Sequence, residues 1–386
     1  MQVVAEKKST HKVEVVPVAL ENHPNANTLS VVRVWGYQVV VKSSDWKGVD
    51  KAAYIQPDSV VPDSPEYAFL RSCTTCRGTG NAFTADKERV QCPDCSGSGI
   101  LPLRDTDRHI RVRKFRGEMS QGLLVKAPFG AKIGDDVSQE LGITRYVPPE
   151  PGHGGAKTGK VSMQKPPSCY VPDYDVENWY RYGRKTFKDG EKVIITEKIH
   201  GCNARYVYDS HTREFYAGTH HTWLREFFEV PPKGFFRRIL RKCGLIRPDL
   251  RRFDDIWWRV VDKYPIREWC ESNPDCVLYG EIYGDVQDLK YGCSIGEVKF
   301  AAFEARDTST GENRFFDEAD ARFYEIPSVP VVAKGKYTDD FIRQYINGVS
   351  MVPGANHMRE GVVIFSGERS GVKLKAVSDA YLERTK

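Results

Sequence analysis

Two short cysteine runs do most to limit what this chain can fold into. Cys73-Thr74-Thr75-Cys76-Arg77-Gly78-Thr79-Gly80 returns as Cys92-Pro93-Asp94-Cys95-Ser96-Gly97-Ser98-Gly99, an internal repeat of CxxCxGxG. Each CxxC turn brings two thiolates onto one tetrahedral ion, and the glycines let the backbone wrap around the sulfurs. Two such knuckles complete a closed four-sulfur site of Cys73, Cys76, Cys92 and Cys95, so a bound Zn2+ is expected to be structural, with no position left for water. Redox pairs or a disulfide hairpin are the alternatives, disfavoured in a reducing compartment. The other six of the ten cysteines, Cys169, Cys202, Cys243, Cys270, Cys276 and Cys293, lack ligand spacing and read as free thiols.

The knuckles interrupt a series of short strand-like segments at 11–19, Leu29–Val34, Tyr37–Lys42, 52–55, 110–115 and 122–125. These lengths fit a small β-barrel of residues 1–145, with 71–103 as a zinc-bearing insertion. A Pro- and Gly-rich stretch, Val147-Pro148-Pro149-Glu150-Pro151-Gly152 onward to Lys160, lies in a linker at 146–168 and leaves 169–386 as a second domain. Gly159-Lys160 is not a P-loop, because the glycine spacing before it and the Ser/Thr after it are missing.

In the second domain Val193-Ile194-Ile195-Thr196-Glu197-Lys198-Ile199-His200-Gly201 ends a β-branched strand on a lysine followed by a polar turn. A strand end holds an amine firmly at a cleft mouth, where it can act as a nucleophile; a solvated surface lysine is the plainer reading. In Cys276-Val277-Leu278-Tyr279-Gly280-Glu281-Ile282-Tyr283-Gly284, alternation puts Tyr279, Glu281 and Tyr283 on one face and Leu278 and Ile282 on the other. Phe300 and Phe303 fall on opposite faces of the next strand, one for the core and one free to stack on a flat ligand. Glu360 precedes the apolar run Gly361-Val362-Val363-Ile364 and reads as a metal contact. Lys373 and Lys375 share a strand face about 7 Å apart, as an anion site or a charged edge.

Taken in order, Lys198-Ile199-His200-Gly201, Tyr279-Gly280-Glu281, Phe300-Ala301-Ala302-Phe303-Glu304, Glu360-Gly361-Val362-Val363-Ile364 and Lys373-Leu374-Lys375 resemble the motifs of the covalent nucleotidyltransferase superfamily, over about residues 170–386. His200 followed by Asn203 is similar to the version found in its ATP-dependent RNA ligases. The runs His23-Pro24-Asn25-Ala26-Asn27 and Gly117-Glu118-Met119-Ser120 resemble OB-fold domains, the second that of the Deinococcus and Naegleria type of RNA ligase, which carries an OB domain ahead of the catalytic one. The fold implied is α+β: an N-terminal OB-fold β-barrel with a zinc-knuckle insertion, then a nucleotidyltransferase domain of antiparallel sheets flanked by helices. The knuckles themselves resemble the zinc region of DnaJ-type chaperones, but no J-domain His-Pro-Asp is present.

The resemblance implies ATP and Mg2+ or Mn2+ as cofactors and three phosphoryl transfers. Lys198 takes AMP from ATP, AMP passes to an RNA 5′-phosphate, and a 3′-hydroxyl displaces it, as in RNA repair at nicks. It further implies Phe300 against adenine, Glu281 on the ribose, Glu360 on the metal, Lys373 and Lys375 on the α-phosphate, Glu197 near adenine, and His200 and Asn203 toward the RNA ends. Where the family carries an arginine this chain reads Gly218-Thr219-His220-His221, so His220, His221 or Arg205 is expected to replace it. The attacking amine is expected to have its pKa depressed by the metal and by Lys373 and Lys375.

A net charge of +5 permits RNA as partner without demanding it. A run of seven cations, Arg237, Arg238, Arg241, Lys242, Arg247, Arg251 and Arg252, with Phe235 and Phe236, suits a phosphate backbone with stacked bases or a solvated amphipathic helix. No apolar run spans a membrane and the start lacks a signal pattern, so a cytoplasmic location is expected, with no obligate protein partner. The chain ends eleven residues after Lys375, which argues against the trailing OB domain of capping enzymes and most DNA ligases. A non-catalytic RNA-binding protein and a ligase of mixed DNA and RNA nicks are the rival readings.

Overall fold

The computed structural model describes residues 11–57, 59–71, 73, 75, 76, 78–84, 88–101, 108–146, 163–230, 236, 240, 241, 243 and 245–384. It divides into two units, 1–148 and 149–386. The linker stretch 147–160 and most of the basic run at 237–242 lie outside the described residues. Among the described residues no helix is long and apolar enough to cross a membrane.

Alternating apolar residues build the first unit. Leu29–Val34 and Tyr37–Lys42 pair antiparallel, and Lys51–Ile55 is flanked by Glu14–Pro17 and Leu123–Lys126. Their inward residues, Val13, Val15, Ala53, Ile55 and Ile110 among them, form the core. The expected barrel is not closed: among the described residues the strands fall into separate sheets of two or three. Side chains replace the missing ladder. Val40 N donates to Ser120 Oγ at 3.0 Å and Gln38 N to Gln121 Oε1 at 3.1 Å, so the side chains of Ser120-Gln121 satisfy part of the strand edge, beside one backbone bond from Gln121 N to Gln38 O at 2.8 Å.

The cysteine hairpin has internal two-fold character. Cys73 N donates to Gly99 O and Cys92 N to Gly80 O, both at 2.9 Å, while Gly80 N and Gly99 N each lie 3.3 Å from the sulfurs of Cys76 and Cys95. A β-carbon on Gly80 would sit 2.2 Å from Gly97 O, and one on Gly99 2.3 Å from Gly78 O, so neither position admits a side chain. The four sulfurs lie within 4.8 Å of one another, with Cys73–Cys92 at 3.8 Å and Cys76–Cys95 at 3.6 Å. A tetrahedral ion with metal–sulfur bonds of about 2.3 Å requires sulfurs about 3.8 Å apart.

The second unit is built on two large sheets, with a small two-stranded sheet of Phe227–Val230 and Asp249–Arg252 beside them. A five-stranded sheet runs in the order Glu177–Asn178, Lys373–Val377, Gly361–Ser366, Lys192–Lys198, Val331–Lys336. It is mixed, since Glu177–Asn178 pairs parallel with Lys373–Val377 where antiparallel pairing alone was expected. Val193, Ile195, Val362, Ile364, Leu374 and Ala376 point to one side, where Trp179, Tyr337, Ile342 and Ile346 cover them. A six-stranded sheet orders Trp223–Leu224, Glu214–Gly218, Cys202–Asp209, Cys276–Gly284, Val298–Asp307, Asn313–Phe315. Its outer face (Tyr206, Leu278, Ile282, Phe300) packs under Trp257, Trp258 and Trp269 from the helices Ile256–Lys263 and Ile266–Ser272. The uncovered faces carry the functional residues. Residues 163–168, expected as linker, already belong to this unit: Met163 bridges Leu224, and Ser168 Oγ donates to Asp209 at 2.6 Å.

Candidate active site

The chain passes from one sheet to the other at Ile199-His200-Gly201, which places Lys198 at the hinge line of the cleft. Gly201 is required there, because a β-carbon would lie 2.1 Å from Ile282 O. Lys198 pairs with Gly361 across the antiparallel ladder, so Glu360, the residue before that strand, meets the amine: Lys198 Nζ to Glu360 Oε1 is 2.6 Å. The cleft, about 580 Å³, is lined by Thr196 and Lys198 from one sheet, Asn203, Glu281 and Phe303 from the other, and Val363, Phe365, Lys375 and Tyr174 around them.

The electrostatics differ from the expectation. Burial disfavours the Lys198 ammonium, but the carboxylates of Glu360 and then Glu281 outweigh it and hold the amine above the ordinary lysine pKa. In the free enzyme Lys198 is therefore protonated. Lys373, expected to depress it, is engaged elsewhere, its Nζ 2.6 Å from both oxygens of Glu304 and 4.1 Å above the Tyr174 ring. Burial also acts against the Glu360 carboxylate, yet Lys198 and His200 keep it below the usual range. Glu281 is pushed up to about 7, chiefly by burial, with Lys198 opposing and Glu360 adding to the shift. His200 is locked in place: its N–H donates to the Tyr291 hydroxyl at 2.7 Å, Nε2 is 2.8 Å from Asp288 Oδ1, and Nδ1 is 3.3 Å from Glu360 Oε2.

The alternation read for Tyr279, Glu281 and Tyr283 is present, with Leu278 and Ile282 in the opposite core. The two phenylalanines are reversed. Phe300 is fully buried in the outer core, where its ring lies against Gly280, while Phe303 lines the cleft. A register shift between Tyr279 and Gly280 accompanies the exchange, and the glycine leaves the room that the Phe300 ring fills. Glu197 borders the cleft, but its carboxylate does not reach outward: it accepts from Ser350 Oγ at 2.5 Å and Met351 N at 2.6 Å and so ties down the 350–352 loop. Lys375 lines the cleft as expected, and so does Asn203, whose buried Oδ1 lacks a partner among the described residues.

Arg205 shares the Asn203 face yet lies outside the cleft lining. Two residues further from the hinge, its guanidinium is buried, 2.9 Å from Asp173 and stacked 4.5 Å over Trp223. His220 and His221 are likewise beyond the cleft lining, beside Asp175 and Asp173. Of the basic run, Arg241, Arg247, Arg251 and Arg252 are described, and Arg241, Arg251 and Arg252 face carboxylates, Glu229 at 2.8 Å, Asp249 at 3.8 Å and Glu226 at 3.1 Å respectively. Arg251 and Arg252 belong to the strand Asp249–Arg252 and not to a helix. Tyr174 was missed in the sequence, as no pattern marks Val171-Pro172-Asp173-Tyr174. Glu304 stood inside a recognised motif but was given no role.

A strand-end lysine paired with a buried carboxylate, in a cleft between two sheets with an aromatic wall and a further lysine, is the arrangement that the resemblance to the covalent nucleotidyltransferases leads one to expect. The RNA ligase family model matches residues 191–377, and an OB-fold domain model matches 11–91. Residues 191–377 are an RNA ligase domain, and the protein that carries it is a ligase. Among solved structures, the Naegleria gruberi RNA ligase with pyrophosphate is similar at 18% identity and TM-score 0.69, covering 98% of this chain and 99% of that one. A lysine variant of the same ligase with AMP and Mn aligns at 17% identity and TM-score 0.69, over 97% and 98% of the two chains. Another, with ATP and Mn, aligns at 17% identity and TM-score 0.66, over 96% and 98%. Comparison with curated proteins gives no match.

Proposed function

We propose that this enzyme joins RNA 3′-hydroxyl and 5′-phosphate ends at the expense of ATP, through a lysyl-AMP and an RNA-adenylate, at nicks or breaks in RNA under repair. The observation that carries the reading is the Lys198 amine, fixed at the hinge of a cleft between two sheets, 2.6 Å from Glu360. The deprotonated Nζ attacks the α-phosphorus, an N–P bond forms, the bond to the bridging oxygen breaks, and pyrophosphate leaves. An RNA 5′-phosphate oxygen then takes the adenylyl group, restoring the amine, and the 3′-oxygen finally displaces AMP. Phe303 stacks on adenine, Glu281 receives the ribose, and Lys375 faces the α-phosphate. Asn203, which lines the cleft, helps to seat the RNA ends beside His200.

Glu360, with the buried Glu281 carboxylate beside it, fits Mg2+ or Mn2+, because two acids share one lysine there. A bound cation supplies charge neutralisation for the phosphate in flight. The raised Lys198 pKa sets the pH dependence. The amine must lose its proton before attack, so single-turnover adenylation is expected to rise with pH by about tenfold per unit while the ammonium predominates. A pH profile of labelling by α-labelled ATP that is flat through neutrality would show that the amine is already free.

The sulfur geometry supports one structural Zn2+ on Cys73, Cys76, Cys92 and Cys95. Elemental analysis is expected to find about one tightly held zinc per chain at that site. Cys76→Ser is expected to lose it and to open the hairpin to protease, while adenylation of Lys198 persists. Unchanged zinc content in the variant would remove the assignment. A purely RNA-binding protein is the rival, and transfer of label from ATP to wild-type protein separates the two.

A further inference from the structure

Outside the cleft, three potential ligands converge on the edge of the six-stranded sheet: Asp173, His220 and His221, with one ligand atom from each within 4.8 Å of the others. His221 Nδ1 lies 2.9 Å from Asp173 Oδ2, the separation expected of neighbouring ligands on one octahedral ion with bonds of about 2.1 Å. A fourth oxygen is close, Asp175 Oδ1 at 3.6 Å from His220 Nε2. The two imidazoles stand edge to face with centroids 4.1 Å apart.

The backbone explains why these groups meet. The Thr219–Thr222 turn is closed by Thr219 N to Thr222 O at 2.8 Å, and the Thr219 hydroxyl accepts from Thr222 N at 3.0 Å, which presents both histidines outward. The segment carrying Asp173 and Asp175 is anchored on either side, by Ser168 on Asp209 and by Glu177 in the five-stranded sheet. Behind Asp173, Arg205 Nη1 holds the other carboxylate oxygen at 2.9 Å and leaves Oδ2 toward the histidines. Such an outer hydrogen bond is the usual way of aiming a metal-binding carboxylate.

We propose that Asp173, His220 and His221, assisted by Asp175, bind a divalent transition ion such as Zn2+, Co2+ or Mn2+, separate from the four-sulfur site and from the Glu360 site. Charge decides between a cation and an anion. Two carboxylates face one guanidinium and two imidazoles, so with neutral histidines the cluster is net negative. Imidazole nitrogen also selects against Mg2+, which prefers oxygen. The ion ties the Asp173–Asp175 segment to the histidine turn. Tyr174, between the two acids, packs on Phe303 at 4.6 Å and bonds Glu304 at 2.8 Å, so occupancy steadies one wall of the cleft.

The test is a Co2+ titration of the full chain carrying a single equivalent of zinc, in excess Mg2+ to hold the Glu360 site, followed by its visible absorption. With the sulfur site filled, about one further equivalent is expected to bind, giving ligand-field bands without thiolate charge transfer. His220→Ala/His221→Ala is expected to lose that equivalent. Asp173→Asn, which keeps a hydrogen-bonding group beside Arg205, is expected to weaken it on the order of a hundredfold. No Co2+ uptake by the wild type overturns the proposal, as does uptake that survives both variants. Stabilisation of the wild type by inorganic phosphate, with no Co2+ band, overturns it in favour of an anion site.

Discussion

Lys198→Ala leaves a folded protein that takes no label from α-labelled ATP, and its ligation of 5′-phosphorylated RNA falls to background. The loss is complete because no other described amine stands at the hinge: Lys375 lines the cleft from a different strand, and Lys373 is held by Glu304. The fold survives, since the side chain projects into the cleft and not into the core. Glu360, left without its closest cation, then titrates higher than in the wild type. The same variant is expected to seal RNA that already carries a 5′-adenylate, because the last transfer needs the cleft but not the amine. Labelling of the alanine variant would place the nucleophile elsewhere. Failure on pre-adenylated RNA, with labelling also lost, would point to a collapsed cleft.

The two phenylalanines give the second large effect, in opposite kinds. Phe300→Ala is expected to cost about 3 to 5 kcal/mol of stability, because its ring is fully buried between Tyr206 and Tyr264 and against Gly280. Phe303→Ala removes the aromatic wall of the cleft. Its KM for ATP in adenylation is expected to rise about tenfold, the worth of roughly 1.4 kcal/mol of stacking, on top of a loss of stability, since Phe303 also packs in the inner cluster. Chemical denaturation and adenylation kinetics on the pair decide it. A Phe300 variant that is stable but fails to bind ATP would reverse the assignment.

These residues also mark how far the sequence could be read. The strands Leu29–Val34 and Tyr37–Lys42 were legible to the residue, because alternation with one buried face leaves a single register. Lys198 was legible because a β-branched run ends on it, and Glu281 because its neighbours alternate. Phe300 against Phe303 was not, since alternation says that they oppose each other but not which face the cleft takes. That choice rests on the Trp-rich helices Ile256–Lys263 and Ile266–Ser272, which cover the Phe300 face from a distant part of the chain.

Charge shows the same division. Lysines and carboxylates can be counted in sequence, but a pKa depends on which of them approach across a cleft. Lys373 and Lys375 do share a strand face, yet Glu304 from the other sheet captures only Lys373. Lys198 was expected to be pushed down by a bound metal and those lysines, and without the metal Glu360, 162 residues away, holds it up. Arg205 was expected at the nucleotide and is drawn off by Asp173.

By itself the sequence determined the paired cysteine knuckles, the strand alternation, the order of the ligase motifs and the position of the lysine. Each is a local pattern, enforced by backbone geometry within a few residues. Only the tertiary structure decided which aromatic faces the cleft, which lysine Glu304 holds, which way the Lys198 pKa moves, and that Asp173 meets two histidines. Those depend on distances between segments far apart in the chain, set by how the two sheets pack against each other.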